Sequence, residues 1–196
     1  MTKNIFFAAD YHFGHESPYS KFKRADGSPL RPFDNADEGD EAMIERHNKI
    51  VQPGDRVYVV GDVAMSKKHL HKLARMNGKK VLVKGNHDIA ELKDYVPYFD
   101  DIRGSHQFDG VLITHIPVHP DSLARWGFNI HGHLHANRVM YDERFFNGDF
   151  ITTRKSVDDR YFCVSVEQIN YTPISLEEVK KHKPINILPP RNKDCG

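Results

Sequence analysis

Five short apolar runs along the chain each end in residues whose side chains can bind a metal ion. The runs are residues 5–9, 57–60, 81–83, 111–113 and 128–130. The polar residues that follow them are Asp10 and His12, Asp62, Asn86 to Asp88, His115, and His133 and His135. Apolar runs of this length predict buried strands. Because ligands in α/β proteins gather at the carboxyl ends of strands, the pattern predicts one site at that edge.

A helical period appears between these strands. Helices are predicted over residues 37–51, 67–76, 89–95 and 120–126, and after a capping box made by Ser175 and Glu178. In the first helix an acidic start precedes Met43 and His47 on one face. Ser66 is a candidate N-cap for the second. The alternation of strand and helix predicts an α/β protein.

Two long segments show neither period. Residues 13–35 are polar and rich in Gly, Pro and Ser, and loops of this length are often functional. Whether this loop closes over a substrate stays open. Residues 142–159 are interpreted as polar and irregular, before a buried strand at residues 161–166. Residues 184–196 are expected to run from ordered to frayed. Without repeats, the sequence predicts a single domain over residues 1–196.

Composition adds one unusual feature to an ordinary profile. The 196 residues are 39% apolar and 28% charged with a net charge of +1, so no strong field favours nucleic acid or an anionic membrane. The chain contains 13 histidines, and histidine is the commonest metal ligand. Cys163 and Cys195 make neither a disulfide framework nor a zinc motif. No signal-length or membrane-length apolar stretch is found, so we expect a cytoplasmic protein without a membrane partner.

The residue types at the strand ends suit a pair of metal ions. The set is Asp10, His12, Asp62, Asn86, His115, His133 and His135. Neighbouring ions repel each other, so a carboxylate must lie between them, and Asp62 is the best candidate because Gly61 lets the backbone turn before it. Asp10 and His12 can face one ion together, whereas the two histidines of the last strand end can serve one ion each. Carboxylate, imidazole and amide donors without sulfur favour Mn²⁺, Fe or Zn²⁺ over a structural zinc site.

In their order, these motifs resemble the calcineurin-like metallophosphoesterase superfamily. The matching motifs are Asp10-x-His12, Gly61-Asp62, Gly85-Asn86-His87-Asp88, His115 and Gly132-His133-x-His135. They cover residues 4–136, and residues 162–173 resemble the closing strands of the small bacterial and phage phosphoesterases of that superfamily. The resemblance implies an α/β (α+β) fold, a four-layer sandwich of two mixed β-sheets flanked by helices, with the metals at the strand ends.

The resemblance also implies a role for each residue. One divalent ion would be held by Asp10, His12 and His135 and the other by Asn86, His115 and His133, with Asp62 as the bridge. The ions (Mn, Fe, Ni or Zn) would share a hydroxide that attacks phosphorus in line. His87 would donate a proton to the leaving oxygen, and Asp88 would orient His87. Asn86 would also contact the substrate.

The long loop contributes two further candidates for substrate contact. His15 lies in a segment that looks like the small-phosphoesterase variant, and it would contact the substrate or a metal-associated water, although a solvated histidine fits as well. Arg31 would present its guanidinium to phosphate oxygens.

Three functions fit the motifs. The first is hydrolysis of phosphodiesters or small nucleotides. The second is phosphomonoesterase or pyrophosphohydrolase activity, which needs added positive groups, and Arg31 and Arg24 are the obvious donors. The third is a catalytically silent scaffold of the same fold that binds a partner, yet all ligand positions are filled. Val63 and Ala64 follow Asp62 where serine/threonine phosphatases carry an arginine signature, which argues against a protein substrate. No basic, aromatic track indicates nucleic acid, and the substrate, the native metal and the oligomeric state stay open.

Overall fold

A computed structural model describes residues 4–108, 110–148 and 150–182 of the chain. The predicted tail at residues 184–196, with Cys195, lies outside the described residues. None of the helices in the described part is both long and apolar enough to cross a bilayer.

Strands and short helices alternate along the chain. The strands are β1 (Ile5–Ala8), β2 (Arg56–Val59), β3 (Lys79–Val83), β4 (Asp101–Arg103), β5 (His106–Phe108), β6 (Val111–Ile113), β7 (Phe128–His131), β8 (Met140–Asn147), β9 (Phe150–Val157), β10 (Tyr161–Cys163) and β11 (Ile174–Ser175). The α-helices are α1 (Ser17–Ser20), α2 (Ala36–Ile50), α3 (Leu92–Tyr95), α4 (Leu123–Trp126) and α5 (Leu176–His182), and two 3-10 helices cover Lys67–Arg75 and Pro120–Ser122.

Two mixed sheets carry the strands that the apolar runs predict. The first has the order β11-β1-β2-β3-β4, in which only β11 is antiparallel, and the second has the order β10-β7-β6-β5, in which only β5 is antiparallel. The two sheets meet where β1 ends, because the Ala9 amide donates to the Val164 carbonyl at 2.8 Å. The α/β class with mixed sheets is therefore confirmed.

The first sheet is buried on both faces. Phe6 belongs to an apolar cluster with Met43 and Ile44 of α2, whereas its neighbour Phe7 belongs to a second cluster with Ile130 of the other sheet. Successive side chains of a strand point to opposite faces, so both kinds of position must be apolar. This explains the continuous apolar runs, and it holds the strand ends rigidly at one edge.

The first long helix begins one residue before its predicted start, and the predicted capping box before α5 is confirmed. Helix α2 begins after Asn35, whose side chain accepts a hydrogen bond from the Glu38 amide at 2.9 Å. The capping box before α5 is reciprocal: the Ser175 amide donates to Glu178 Oε2 at 3.0 Å, and the Glu178 amide donates to Ser175 Oγ at 3.2 Å.

The helix predicted over residues 67–76 is a 3-10 helix, and Ser66 makes no capping hydrogen bond in it. Leu70, Leu73 and Met76 are all buried and stand three residues apart. That spacing matches the three residues per turn of a 3-10 helix rather than the 3.6 of an α-helix. Other bounds shift as well: residues 89–95 form a helix only at α3, residues 120–126 divide into Pro120–Ser122 and α4, and the strand at residues 161–166 ends with β10.

The interpretation of residues 142–159 as irregular is wrong. Strands β8 and β9 form an antiparallel hairpin that pairs with no third strand of the described residues. Both faces of the ribbon are exposed, since the neighbours Phe145 and Phe146, which point to opposite faces, are 39% and 77% accessible. No apolar alternation marks these strands because neither face is buried. The available signal was the register of opposite charges, in which Glu143 faces Arg154.

Candidate metal centre

The predicted ligands come together at the carboxyl ends of β1, β2, β3, β6 and β7 in two groups. The first group is Asp10, His12 and His135, and the second is Asp62, His115 and His133. Within each group, one ligand atom of every residue lies within 4.8 Å of the others. Residues more than a hundred positions apart thus meet because the strands end at one edge.

Asp62, a member of the second group, also approaches the first group. Its Oδ2 atom is 3.5 Å from His12 Nε2 and 3.2 Å from His115 Nε2. His115 Nε2 is also 3.0 Å from the Asn86 Oδ1 atom. The second oxygen of Asp62 accepts a hydrogen bond from the His87 amide at 2.8 Å. One carboxylate oxygen therefore faces both groups, as the bridging position requires.

Five of these residues adopt left-handed backbone conformations. Asp10, His12, Asp62, His133 and His135 have φ angles of 60°, 47°, 54°, 69° and 50°. Such conformations are uncommon outside glycine and each costs about 1–3 kcal/mol, so they persist only where the surroundings determine them. The chain bends sharply out of each strand, which turns the side chains back toward one point.

Glycines allow the loops to approach closely. Gly61 has a φ of 82°, and a Cβ atom there would lie 2.5 Å from His115 Nδ1. A Cβ atom at Gly85 would collide with the Asp62 carboxylate. A larger residue at either position would displace His115 or Asp62, two members of the second group.

The buried carboxylate of Asp10 is only half satisfied. Its Oδ2 atom accepts hydrogen bonds from the His133 amide at 2.9 Å and from Ser165 Oγ at 2.6 Å. Its Oδ1 atom is buried and has no hydrogen-bond partner among the described residues. Burial raises the pKa of Asp10 to about 6. A cation at Oδ1 would satisfy the atom and restore the charged form, so the residues present fit a divalent metal ion.

The histidines have opposite protonation tendencies. Burial works against a charged His115, but the Asp62 and Asp10 carboxylates raise its pKa to about 8. Burial lowers the pKa of His12 to about 3. His115 Nδ1 lies 2.9 Å from the Val60 carbonyl, which can accept a hydrogen bond from Nδ1 when that atom carries the proton. The Nε2 atom, which faces Asp62, then keeps its lone pair for a metal ion. An ion bound at Nε2 would take the place of the proton that Nε2 carries in the charged form of His115.

The structure contradicts the prediction that Arg31 contacts a substrate. Arg31 is fully buried, and its guanidinium donates to the Asp10 carbonyl at 2.5 Å and to the Tyr11 carbonyl at 2.7 Å. Its Nε atom donates to Glu167 Oε1 at 2.8 Å. A charged side chain in a polar loop is normally solvent-exposed, and only the fold supplies the partners that bury this one.

Glu167 is a residue of the site that the sequence reasoning missed. Its side chain is fully buried, and Oε2 lies 3.2 Å from His135 Nδ1. Burial alone would raise its pKa, but Arg31 and His135 lower the pKa to about 2. The only signal for it was an acidic residue directly after the last apolar run of the chain.

The structure also contradicts the role predicted for Asp88. Its carboxylate accepts hydrogen bonds from the amides of Asp62 at 2.9 Å, Val63 at 2.9 Å and Gly85 at 2.8 Å. Both oxygens are thereby directed at the backbone rather than at the His87 ring. Asp88 joins the loops after β2 and β3 and so holds Asp62 in place.

The remaining candidates lie at the mouth of the site. His87 and Asn86 are exposed, and the His87 ring centroid is 5.4 Å from that of His12. His15 is half-buried, and its ring stands edge-on to His12 and to Phe22, with both centroids at 5.7 Å. Their contact with a substrate stays a prediction.

Comparisons with known proteins place the chain in a family. No protein-family model matches it. An uncharacterized protein of Methanocaldococcus jannaschii is 32% identical over 183 residues, which are 91% of this chain and 90% of that protein. The crystal structure of a protein of unknown function from Aquifex aeolicus has a TM-score of 0.60 at 23% identity, covering 92% of this chain and 99% of that chain, which is a likeness of fold. The chain therefore belongs to the same family as the M. jannaschii protein.

Proposed function

We propose that the chain is a dinuclear metal-dependent phosphoesterase of the calcineurin-like type that hydrolyses phosphodiesters or small nucleotides. The observation that carries the proposal is the position of Asp62 Oδ2, 3.5 Å from His12 Nε2 and 3.2 Å from His115 Nε2. Two groups of nitrogen and oxygen donors that share one carboxylate are what a pair of ions needs. The four-layer sandwich, with helices outside both mixed sheets, belongs to the same proposal.

Each residue of the centre has a place in this proposal. One ion would be held by Asp10, His12 and His135, the other by Asn86, His115 and His133, with Asp62 shared. Ions of the Mn, Fe, Ni or Zn type held there would supply a nucleophile from water and offset the charge of the phosphoryl oxygens. The buried Asp10 and the glycine-lined approach of the loops keep the donor atoms in place before any ion arrives.

His87 is the candidate proton donor. Its amide is held by Asp62 Oδ1 at 2.8 Å, and its ring is exposed beside His12. A protonated imidazole in that position donates its proton to the leaving oxygen of the substrate. Since Asp88 is occupied by three backbone amides, the ring is oriented by its backbone tether and by the substrate.

The arginines favour a diester over a monoester. A monoester or a pyrophosphate carries more negative charge than a diester and needs additional cationic groups. Arg31 is buried against Glu167, and Arg24 donates to the Leu30 carbonyl at 2.9 and 3.2 Å. Both guanidinium groups are already engaged by protein oxygens, so the phosphomonoesterase and pyrophosphohydrolase alternative has less cationic support than the sequence predicts.

The test is hydrolysis of bis-p-nitrophenyl phosphate and p-nitrophenyl phosphate by metal-stripped protein after addition of Mn²⁺, Ni²⁺, Zn²⁺ or Mg²⁺. We expect diester cleavage that returns with metal and is absent in Asp62→Ala. Asp142→Ala, which removes a carboxylate that is 61% exposed on the hairpin, is the matched control and should keep full activity. A preference for the monoester would support the phosphatase alternative. Two bound ions without turnover of any ester would support a silent scaffold.

A further inference from the structure

The pair formed by Arg31 and Glu167 has no role in the proposed reaction. Both side chains are fully buried in the ion pair, and neither is a candidate ligand. Burying two charges is costly unless their remaining hydrogen-bonding groups are satisfied. The partners of this pair show what it supports.

On one side, the pair holds the turn that carries two ligands. Arg31 donates to the Asp10 carbonyl at 2.5 Å and to the Tyr11 carbonyl at 2.7 Å. This turn contains the left-handed residues Asp10 and His12, with φ angles of 60° and 47°. Two charge-assisted hydrogen bonds to its carbonyls stabilise a backbone that would otherwise relax.

On the other side, the pair reaches the third ligand of the same group. Glu167 Oε2 lies 3.2 Å from His135 Nδ1, an ion-pair distance, and both atoms are buried without a hydrogen-bond partner among the described residues. The neighbouring Gln168 side chain donates to the His135 carbonyl at 2.9 Å. If Nδ1 is directed at Glu167, Nε2 is the atom of His135 that remains for an ion.

We infer that Arg31 and Glu167 are positioning residues for the ion held by Asp10, His12 and His135, and for that ion alone. Glu167 keeps the proton of His135 on Nδ1, so Nε2 offers its lone pair to the ion. Arg31 fixes the turn that carries Asp10 and His12, the other two ligands of that ion. The inference rests on the proposed metal centre. Among the described residues, no Arg–Glu pair reaches the second group, where His115 Nδ1 lies against the Val60 carbonyl instead.

The charges of the pair predict whether its loss strengthens or weakens metal binding. A buried guanidinium next to a cation site repels the cation, and the Glu167 carboxylate offsets that repulsion. Glu167→Gln removes the negative charge, and it leaves one acceptor oxygen for the two partners that Glu167 now has, Arg31 Nε and His135 Nδ1. Replacing residues that orient metal ligands typically weakens metal binding 10–100-fold, so we expect a loss of that size at one site only.

The experiment is a calorimetric Mn²⁺ titration of metal-stripped wild type, Glu167→Gln and Glu41→Gln. Glu41 pairs with Arg75 on the surface, where both side chains are about half-exposed, so it controls for the loss of a Glu–Arg pair. We expect two binding steps in wild type and Glu41→Gln, and one step weakened about 10–100-fold in Glu167→Gln. Two unchanged steps, or two equally weakened steps, would overturn the inference. Absence of Mn²⁺ binding by wild type would instead refute the metal centre, and this inference with it.

A second measurement needs no variant at position 167. Long-range ¹H–¹⁵N spectra of Zn²⁺-loaded wild type, with the His135 signals assigned from their loss in His135→Gln, report which ring nitrogen is protonated. The inference requires a proton on Nδ1 and the metal on Nε2. Zinc bound through Nδ1 would overturn it even if Glu167→Gln failed to fold.

Discussion

The two halves of the candidate metal centre contain similar donors but are supported differently. The half with Asp10 and His135 is braced by the distant side chains of Arg31 and Glu167. The half with Asp62 and His115 is braced by contacts with the main chain, through the Val60 carbonyl and the amides that Asp88 binds. Similar donors are thus supported once by a buried ion pair whose arginine also binds main-chain carbonyls, and once without an ion pair, by hydrogen bonds between neighbouring loops.

This difference predicts how each half fails. Main-chain support is lost when a loop moves, so damage to it should appear as lower stability of the whole protein. Ionic support acts on the orientation and charge of a few side chains, so damage to it should appear in metal affinity. The following predictions test that separation.

Removing one histidine ligand from each half should have the largest effect. His135→Ala and His133→Ala each remove a donor from one group, so we expect one tightly bound ion per chain in place of two and loss of turnover in both variants. Metal analysis after dialysis against Mn²⁺ measures the stoichiometry. If either variant lost both ions, the two halves would form a single cooperative site, and the idea that they are supported separately would be wrong.

Removing the exposed histidine at the mouth should separate chemistry from metal binding. His87→Ala keeps all donor atoms, so both ions should stay bound while diester turnover falls about 10²–10⁴-fold, the usual contribution of a general acid. His119→Ala, with a side chain that is 74% exposed, is the matched control. Turnover at the wild-type rate with both ions in place would exclude His87 as the proton donor.

Removing the carboxylate that joins two loops should lower stability. Asp88→Ala leaves the amides of Asp62, Val63 and Gly85 without their acceptor, and each buried donor left unsatisfied costs about 1–3 kcal/mol. Since only the contact with the Gly85 amide is partly buried, we expect the free energy of unfolding in urea to fall by about 2–4 kcal/mol. A change no larger than that of Asp142→Ala would contradict this role.

Acid should lower the free energy of unfolding through His47, which packs beneath the turn that carries Asp10. His47 is buried under this turn, with Nδ1 3.4 Å from the Tyr11 hydroxyl, and burial lowers its pKa from 6.5 to about 4. The unfolded chain binds the proton first, so the stabilisation is complete above pH 6.5 and is lost as the pH falls toward 4. Between pH 7.5 and 4.5 the loss from this group is about 2–3 kcal/mol.

The check is urea unfolding of wild type, His47→Gln and the exposed control His71→Gln at both pH values. Wild type and His71→Gln should lose more stability than His47→Gln by that amount. Equal losses in all three proteins would show that His47 does not titrate in this way.

Local patterns predicted much of the fold and of the ligand set. Apolar runs and the polar residues after them are properties of a few neighbouring positions, so β1, β2, β3, β6 and β7 and their ends could be located. The 3-10 helix and the hairpin could not. The first depends on which side chains are buried at a spacing of three, and the second buries neither of its faces.

The supports of the metal centre needed the tertiary structure. Arg31 and Glu167 stand 136 residues apart, and Asp88 is 26 residues from Asp62. From the sequence, a charged residue is expected in solvent or, near a motif, beside the reacting groups. The sequence therefore predicts substrate contact for Arg31 and orientation of His87 by Asp88, and the structure contradicts both. Only the fold shows that backbone amides satisfy the Asp88 carboxylate, and that two backbone carbonyls and Glu167 satisfy the Arg31 guanidinium.

By itself, the sequence determined the strand ends and the kinds of donor atom they carry, because strand formation and side-chain chemistry are local. The tertiary structure decided which donors meet, which oxygen of Asp62 faces both groups, and which charges are buried beneath them. Those outcomes depend on close approach of distant segments, and the free energy of a buried charge is set by the partners that the fold places within about 3 Å of it.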